Sequence, residues 1–133
     1  MSAKPPIVEN NTSAPFWEGV RKRKLMLQYD AASQHYQFFP RPISLYSNHG
    51  ALEWRESNGT GQLVAFTLTH FPAPGFDAEL PYVEGIVQMD EGPRVFAPIA
   101  HARYEALKVG MRMRVCWPQA PEGEHPFQFE VIA

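Results

Sequence analysis

The second half of the chain alternates between apolar and polar residues with a period of two, the pattern of half-buried β-strands. Val64, Phe66 and Leu68 are expected to share one face of the strand QLVAFTLTH (62–70). In the segment MRMRVCW (111–117), and then in FQFEVI (127–132), every second residue is expected to face the core. These inward residues are Met111, Met113, Val115, Trp117, Phe127, Phe129 and Val131.

Two more strands are predicted between these segments, at VEGIVQMD (83–90) and RVFAPIA (94–100). The segment ARYEALKVG (102–110) fits a short helix that ends at Gly110. The order is therefore three strands, a short helix and two strands, which is the order of a five-stranded OB-fold barrel. LEWRES (52–57) is also predicted to be a strand, and a plain six-stranded meander is the alternative fold.

The first half of the chain has a different pattern. Residues 1–13 are polar and rich in Pro and Asn, so we expect a flexible arm. An amphipathic helix of about three turns is predicted from Ser13, with Pro15 in its first turn and the basic run 21–24 in its last. The stretch 27–50 is dense in aromatic residues around Pro40-Arg41-Pro42 and has no cysteine.

Composition limits the classes of function. The chain has 133 residues, enough for one domain with a small appendage, and its net charge of −2 indicates no polyanionic partner. Cys116 is the only cysteine, which excludes a disulfide framework and a four-thiolate zinc site. There is no apolar run of the roughly 20 residues that a membrane span needs, and no signal peptide, so we expect a cytoplasmic protein without membrane association.

The residue types of catalytic and metal sites are present but scattered. Asp30, His35 and His49 could meet if the aromatic stretch forms a knuckle, although these ligands include no sulfur. Cys116 reads as a packed strand residue, and no nucleophile-elbow motif surrounds the serines. The basic run 21–24 is either a solvated helix end or an anion site. The aromatic residues of 27–50 are either a stacking platform or a small separate core.

The order of these features resembles a known family. FWEGVRKRKLMLQ, FFPRP, LEWRESNGTGQLVAFTLTHF, PYVEGIVQMDEGPRVFAPI and LKVGMRMRV are together similar to acyl-CoA-associated OB-fold proteins catalogued as a domain of unknown function. The resemblance covers roughly residues 14–132. It implies a mainly β fold: an N-terminal helix, a rubredoxin-like zinc ribbon and a five-stranded OB-fold barrel. The corresponding boundaries are 1–13 for the arm, 14–50 for helix and ribbon, and 51–133 for the barrel.

The resemblance also identifies what this chain has changed. Family members carry two Cys-x-x-Cys pairs in the ribbon, and the matching positions here are Asp30, Ser33, Ser44 and Ser47. Oxygen ligands of this kind hold zinc poorly. We therefore expect a degenerate ribbon without zinc, held together by aromatic packing instead.

The implied function is a non-catalytic subunit that binds acyl-CoA and partners a thiolase-like or related acyl-CoA enzyme. No tightly bound cofactor is expected, and a homodimer is left open. The candidate acyl-CoA contacts are cations for the phosphates and aromatic residues for the slot: Arg21, Lys22, Lys24, Arg41, Phe39 and Trp54. The rival hypotheses are a single-stranded nucleic-acid-binding module, which the few strand arginines 55, 94, 112 and 114 make unlikely, and an independent hydrolase or metalloenzyme.

Overall fold

The computed structural model describes residues 12–38, 40–47, 52–69, 82–117 and 127–132, with the side chains of Thr69 and Tyr82 excepted. One α-helix precedes eight strands, and a single 3-10 turn lies between the sixth and seventh. In chain order they are α1 (Ala14–Arg21), β1 (Met26–Asp30), β2 (His35–Gln37), β3 (Leu52–Glu56), β4 (Thr60–Thr69), β5 (Tyr82–Met89), β6 (Arg94–Pro98), the 3-10 turn (Tyr104–Ala106), β7 (Arg112–Cys116) and β8 (Gln128–Val131).

The last five strands form one antiparallel sheet in the order β6-β5-β4-β7-β8. Its two edges approach each other just after β6, where Ile99 forms a parallel bridge with Phe129. The N–H of Ala100 donates to the carbonyl of Phe129 at 2.8 Å and extends this contact. We call this contact between residues 99–101 and β8 the barrel seam. The predicted mainly β architecture with a five-stranded OB-fold is confirmed.

A β-bulge changes which residues of β4 face inward. Leu63 pairs with Val87 and Ala65 pairs with Ile86, so Val64 is an extra residue between them. The buried face therefore passes from odd to even positions along the strand. Phe66 and Leu68 pack against the core as predicted, but before the bulge the inward residue is the fully buried Leu63.

The inward residues predicted for β7 and β8 are confirmed. Met113, Phe127 and Phe129 are buried, and the remaining four pack against the same cluster. That cluster extends beyond the barrel, because Phe16 and Val20 of α1 and the neighbouring Leu25 belong to it. The Phe16 ring meets those of Phe38 and Phe127 edge-on, with centroids 5.8 and 6.2 Å apart. The helix thus covers one end of the barrel.

Both predicted helices are shorter than expected. α1 ends at Arg21 because Arg23 takes a left-handed backbone conformation (φ 58°), and the N–H groups of Lys22 and Lys24 both return to the carbonyl of Gly19. The segment 102–110 forms only the 3-10 turn. Leu107 is the one buried residue in it, so a longer helix would have no apolar face to pack.

The first three strands form a separate sheet in the order β2-β1-β3. β3 pairs with β1 along its whole length, from Met26 opposite Glu56 to Asp30 opposite Leu52. The segment LEWRES, which lies after the predicted domain boundary at residue 51, is therefore hydrogen-bonded to the ribbon side of that boundary. Residues 1–11 of the predicted arm lie outside the described residues.

The single α-helix of the described residues has eight residues. Within this part of the chain, no helix has the length and apolar character needed to cross a bilayer.

Candidate functional site

The four ribbon positions meet around one carboxylate. Asp30 ends β1, and its Oδ2 atom accepts hydrogen bonds from the hydroxyls of Ser33 (2.8 Å), Ser44 (2.6 Å) and Ser47 (2.5 Å). Its Oδ1 atom accepts the N–H of Ala32 at 3.0 Å. We call Asp30 and the three serines the Asp–Ser cluster. It joins the β1–β2 turn to the loop 40–47.

The cluster keeps Asp30 ionised. Asp30 is only 2% exposed, and burial alone would raise its pKa. The hydrogen bonds from Ser44 and Ser47, followed by those from Ser33 and Ala32, outweigh burial and hold the pKa of Asp30 well below its usual range. A carboxylate committed to four donors is a poor general base at neutral pH. The role of Asp30 in the structure is to accept hydrogen bonds.

Two buried glutamines hold the other part of the same loop. Gln28 and Gln37 are directly opposite on β1 and β2, and Gln37 Nε2 donates to Gln28 Oε1 at 2.8 Å. Gln28 also receives the N–H of Arg41 and donates to its carbonyl, both at 2.9 Å. Gln37 receives the N–H of Leu45 at 2.9 Å and donates to the carbonyl of Ile43 at 3.3 Å. The two amides therefore bind each other and the backbone of the loop.

The expectation that aromatic packing holds the ribbon leaves out its buried polar groups. The buried groups between β1, β2 and the loop are polar: Gln28, Asp30, Gln37 and Ser44. The aromatic residues lie around them. The Tyr29 and Tyr36 rings pack at a tilt of 54° with centroids 4.7 Å apart, Tyr46 stacks on His35 at 4.1 Å, and Phe38 packs toward α1. Sequence reasoning missed the glutamines, although the alternation of MLQYD does put Gln28 on the same face as Asp30.

The Asp–Ser cluster does not fit zinc. Each serine hydroxyl donates its proton to Asp30 Oδ2, and a neutral hydroxyl is a weak zinc ligand. No step or role is therefore assigned to zinc at this position. His49, the remaining histidine of the hypothetical knuckle site, lies outside the described residues. His35 is opposite Asp30 in the β1–β2 pairing, and its ring stacks on Tyr46.

The structure separates the predicted acyl-CoA contacts into three places. Arg21 and Lys22 both pair with Glu18 on the exposed side of α1, at 3.3 and 3.4 Å. Arg41 is exposed on the ribbon loop, while Trp54 on β3 is half-buried against the core. Phe39 lies outside the described residues. These residues therefore do not form one continuous site.

Lys24 lies in a groove that sequence reasoning did not identify. The groove has a volume of about 240 Å³, and its cationic lining consists of Arg23, Lys24 and Arg114. Trp117 contributes an aromatic ring, and the turn 57–60 contributes backbone and hydroxyl groups. Glu56 also lines the groove and lies 4.0 Å from the Lys24 ammonium. A site of this size and charge is suited to an anionic group with a small planar ring.

The strand arginines that a nucleic-acid surface would need are mostly paired. Arg55 lies over the Tyr29 ring at 3.7 Å and contacts Glu53 at 2.9 Å. Arg112 makes a two-pronged contact with Asp90, whose pKa this holds well below its usual range. Arg114 pairs with Glu130 at 3.1 Å. This pairing reduces the positive charge available to a phosphate backbone.

Cys116 is half-buried on β7, as expected of a packed strand residue. Burial, aided by the charge of Glu130, raises the pKa of its thiol to about 11. A thiol of this kind is a weak nucleophile at neutral pH because little thiolate is present.

Comparisons with known proteins agree with this fold. The family model of the ChsH2 C-terminal OB-fold domain matches residues 54–118. A solved structure titled "Ltp2-ChsH2(DUF35) aldolase" superposes with a TM-score of 0.79 at 23% identity, over 94% of this chain and 98% of that one. At this identity the likeness shows a shared fold, and it extends over helix, ribbon and barrel.

Two sequence relatives are informative. The "DUF35 domain-containing scaffold protein" of Pyrococcus furiosus is 27% identical over 75% of this chain and 74% of its own length. The "Probable enoyl-CoA hydratase alpha subunit" of Thermomonospora curvata is 29% identical over 84% of this chain, but the match spans only 34% of that protein. This chain thus spans about a third of the hydratase subunit. Residues 54–118 are thus similar to the ChsH2 C-terminal OB-fold domain, and the resemblance to this OB-fold family seen in the sequence is confirmed.

Proposed function

We propose that this protein is a non-catalytic subunit of an acyl-CoA enzyme complex, which binds the acyl-CoA and docks on a thiolase-like or related partner. The observation that carries the proposal is the match of helix, ribbon and barrel to proteins named as a scaffold, a hydratase subunit and part of an aldolase. The ionisation states of Asp30 and Cys116 support it, because neither group is tuned toward neutral pH for proton transfer or attack.

The ribbon loop has the properties of a docking surface for the partner enzyme. Ile43, Leu45 and Tyr46 expose 48%, 59% and 52% of their surface. Backbone groups of the same three residues form hydrogen bonds with the side chains of Gln37 and Ser44. A loop already ordered in the free protein loses little conformational entropy on binding, so its apolar side chains can contribute more to affinity. The buried polar network thus supports a fixed apolar surface.

The phosphates of CoA are assigned to the groove beside α1. Arg23 and Lys24, which follow the helix directly, are the cations assigned to them; Arg114 also reaches the groove from β7 but is paired with Glu130. A volume of about 240 Å³ accommodates part of a CoA molecule, so the pantetheine arm and acyl chain would extend out of it toward the partner.

The test of docking uses purified chain and the acyl-CoA enzyme encoded beside its gene. Leu45→Asp places a charge in the apolar loop and is expected to weaken the complex at least about tenfold. Phe96→Asp is the matched control, because Phe96 is 55% exposed on β6, away from the loop. Equal binding of wild-type chain and Leu45→Asp would overturn the docking surface.

The test of ligand binding is a calorimetric titration with acyl-CoAs. Arg23→Glu is expected to reduce affinity roughly tenfold at low salt and less at high salt, because exposed charges are screened. Arg94→Glu changes the same charge on β6, outside the groove, and should leave affinity unchanged. Failure of the wild-type chain to bind either acyl-CoA or partner would refute the proposed function. Salt-dependent binding of an oligonucleotide instead would favour the nucleic-acid hypothesis.

A further inference from the structure

Three metal-ligating side chains meet at the barrel seam, far from the Asp–Ser cluster in the chain. They are His101, just after β6, Cys116 at the end of β7 and Glu130 on β8. Their ligand atoms all lie within 4.8 Å of one another. Within the described part of the chain, this is the one group of three such residues that close together. None of the three follows a recognisable spacing in the sequence.

The strand pairing explains why they converge. Cys116 pairs with Gln128 and Arg114 pairs with Glu130, so Cys116 and Glu130 are on the same face of the β7–β8 hairpin. The bridge from Ile99 to Phe129, and the hydrogen bond from Ala100 to Phe129, bring the end of β6 beside that hairpin. His101 is the next residue, so the seam itself delivers the imidazole to the other two ligands.

The backbone at His101 is in a conformation that non-glycine residues seldom adopt. Its φ is 58°, in the left-handed region. Such conformations persist where the surroundings favour them, and they cluster at binding sites. Here the turn directs an exposed histidine toward a thiol and a carboxylate. The strain is an observation independent of the proximity of the three side chains.

The donor set of sulfur, nitrogen and oxygen suits a four-coordinate divalent ion of the zinc class. With bonds of about 2.0 to 2.3 Å, ligand atoms around such an ion lie under about 4 Å apart, so modest side-chain rotations suffice. Glu130 has two oxygens, and Oε2 can keep its contact with Arg114 while the other oxygen binds the ion. Thiolate is the form that binds metal, so the ion displaces the thiol proton.

We propose that His101, Cys116 and Glu130 form a zinc-class metal site that fastens the barrel seam. Three protein ligands leave a fourth position open to water or to an outside group. The ion would link the end of β6 to the β7–β8 hairpin. It would add to the parallel bridge between Ile99 and Phe129 at the same seam. This site is independent of the proposed acyl-CoA role and of the degenerate ribbon.

The experiment is a titration of the full chain with Co²⁺, followed by competition with Zn²⁺. Because Cys116 is the only cysteine, a thiolate-to-cobalt absorption band reports on this site alone. We expect one ion per chain and a band that disappears in Cys116→Ser. In His101→Asn, the asparagine tolerates the left-handed conformation. His101→Asn and Glu130→Gln should each weaken Co²⁺ binding at least about tenfold. His35→Ala, which alters an exposed ribbon histidine, should not.

Thermal unfolding gives a second readout that does not depend on the band. An ion that binds only the folded protein raises Tm as its concentration exceeds Kd. Wild-type chain and His35→Ala should gain Tm with Zn²⁺, whereas Cys116→Ser and His101→Asn should not. Absence of the thiolate band in the wild-type chain would overturn the site. A band of equal affinity in His101→Asn and Glu130→Gln would also overturn it, since the ion would then bind the cysteine alone.

Discussion

At the scale of single residues, charge-assisted hydrogen bonds connect the four ribbon positions Asp30, Ser33, Ser44 and Ser47. Hydroxyl donors to a carboxylate make short, strong bonds, and three of them here end on one oxygen of Asp30. The arrangement needs all its members, because a buried polar group that loses its partner is costly. Ser44 is the most connected serine, since its hydroxyl also receives the N–H groups of Tyr46 and Ser47.

Removal of the Ser44 hydroxyl is therefore expected to destabilise the protein. Ser44→Ala takes one donor from Asp30 and the acceptor from two loop N–H groups, at a cost of about 1–3 kcal/mol in the free energy of unfolding. Ser33→Ala is the matched control, because Ser33 is half-buried and its hydroxyl donates to the same carboxylate oxygen of Asp30. Denaturant unfolding measures both. If Ser44→Ala lowers the free energy of unfolding no more than Ser33→Ala does, the central role of the Ser44 hydroxyl is contradicted.

The low pKa of Asp30 predicts a loss of stability in acid. Its folded-state pKa lies below the ordinary 3.8, so the contribution to stability is fully present above about pH 4 and is lost as pH falls toward the folded value. Asp90 is shifted in the same direction by Arg112 and Thr60. The free energy of unfolding should thus decline below about pH 4. Asp30→Asn should remove part of that decline, and an unchanged slope in this variant would contradict the role of Asp30.

At the scale of elements, the ribbon is a small sheet that presents a loop. β1 and β2 supply the Gln28 and Gln37 amides that bind the loop backbone, while Asp30 at the end of β1 binds the loop serines. This leaves the apolar side chains of the loop facing solvent. Hydrogen bonds to Asp30 thus bring the four positions of the knuckle together around one point.

The convergence of the four positions predicts that a zinc site can be built there. In the quadruple variant Asp30→Cys, Ser33→Cys, Ser44→Cys and Ser47→Cys, four thiolates would surround one point and bind one tetrahedral Zn²⁺. The variant should be folded with zinc and destabilised by a chelator. The triple variant that keeps Asp30 is the control and should bind zinc more weakly. Metal analysis and Co²⁺ spectra check the result, and a variant without stoichiometric zinc would contradict the geometry.

At the scale of the whole molecule, helix, ribbon and barrel share one core. Phe16 and Val20 of α1 pack with Phe127 and Phe129 at the barrel end. The N–H of Ser57 donates to the carbonyl of Leu25 at 2.8 Å, and Glu91 receives the hydroxyl of Ser57 and the N–H of Asn58. The predicted boundary at residue 51 lies between β1 and β3. The strand pairing of β1 with β3 and the hydrogen bond from Ser57 to Leu25 therefore both cross this boundary.

We therefore expect the chain to unfold as one cooperative unit. Phe16→Ala should lower the free energy of unfolding by about 3–5 kcal/mol, since a large buried ring is removed from a shared core. For the wild-type chain, and likewise for Phe16→Ala at its own lower midpoint, Trp fluorescence and circular dichroism should give the same unfolding midpoint. A fragment of residues 51–133 should lack a cooperative transition, because the ring of Phe16 and the pairing of β3 are absent. Separate transitions for ribbon and barrel would contradict this.

The sequence by itself determined most of the strands, the N-terminal helix, the OB-fold order and the family resemblance. Alternation of apolar and polar residues states which side of a strand is buried, and that information is local. It also placed Asp30, Ser33, Ser44 and Ser47 in register through the resemblance. It failed where local pattern is ambiguous: the Val64 bulge shifts the inward face, and the segment 102–110 has too little apolar surface for a helix.

Only the tertiary structure decided what depends on contacts between distant residues. The Gln28–Gln37 clamp, the groove of Arg23, Lys24 and Arg114, and the meeting of His101, Cys116 and Glu130 each join side chains from different elements. Strand register and barrel closure set these distances, and neither can be read from residue spacing. For the same reason, aromatic content alone did not reveal the buried polar groups of the ribbon.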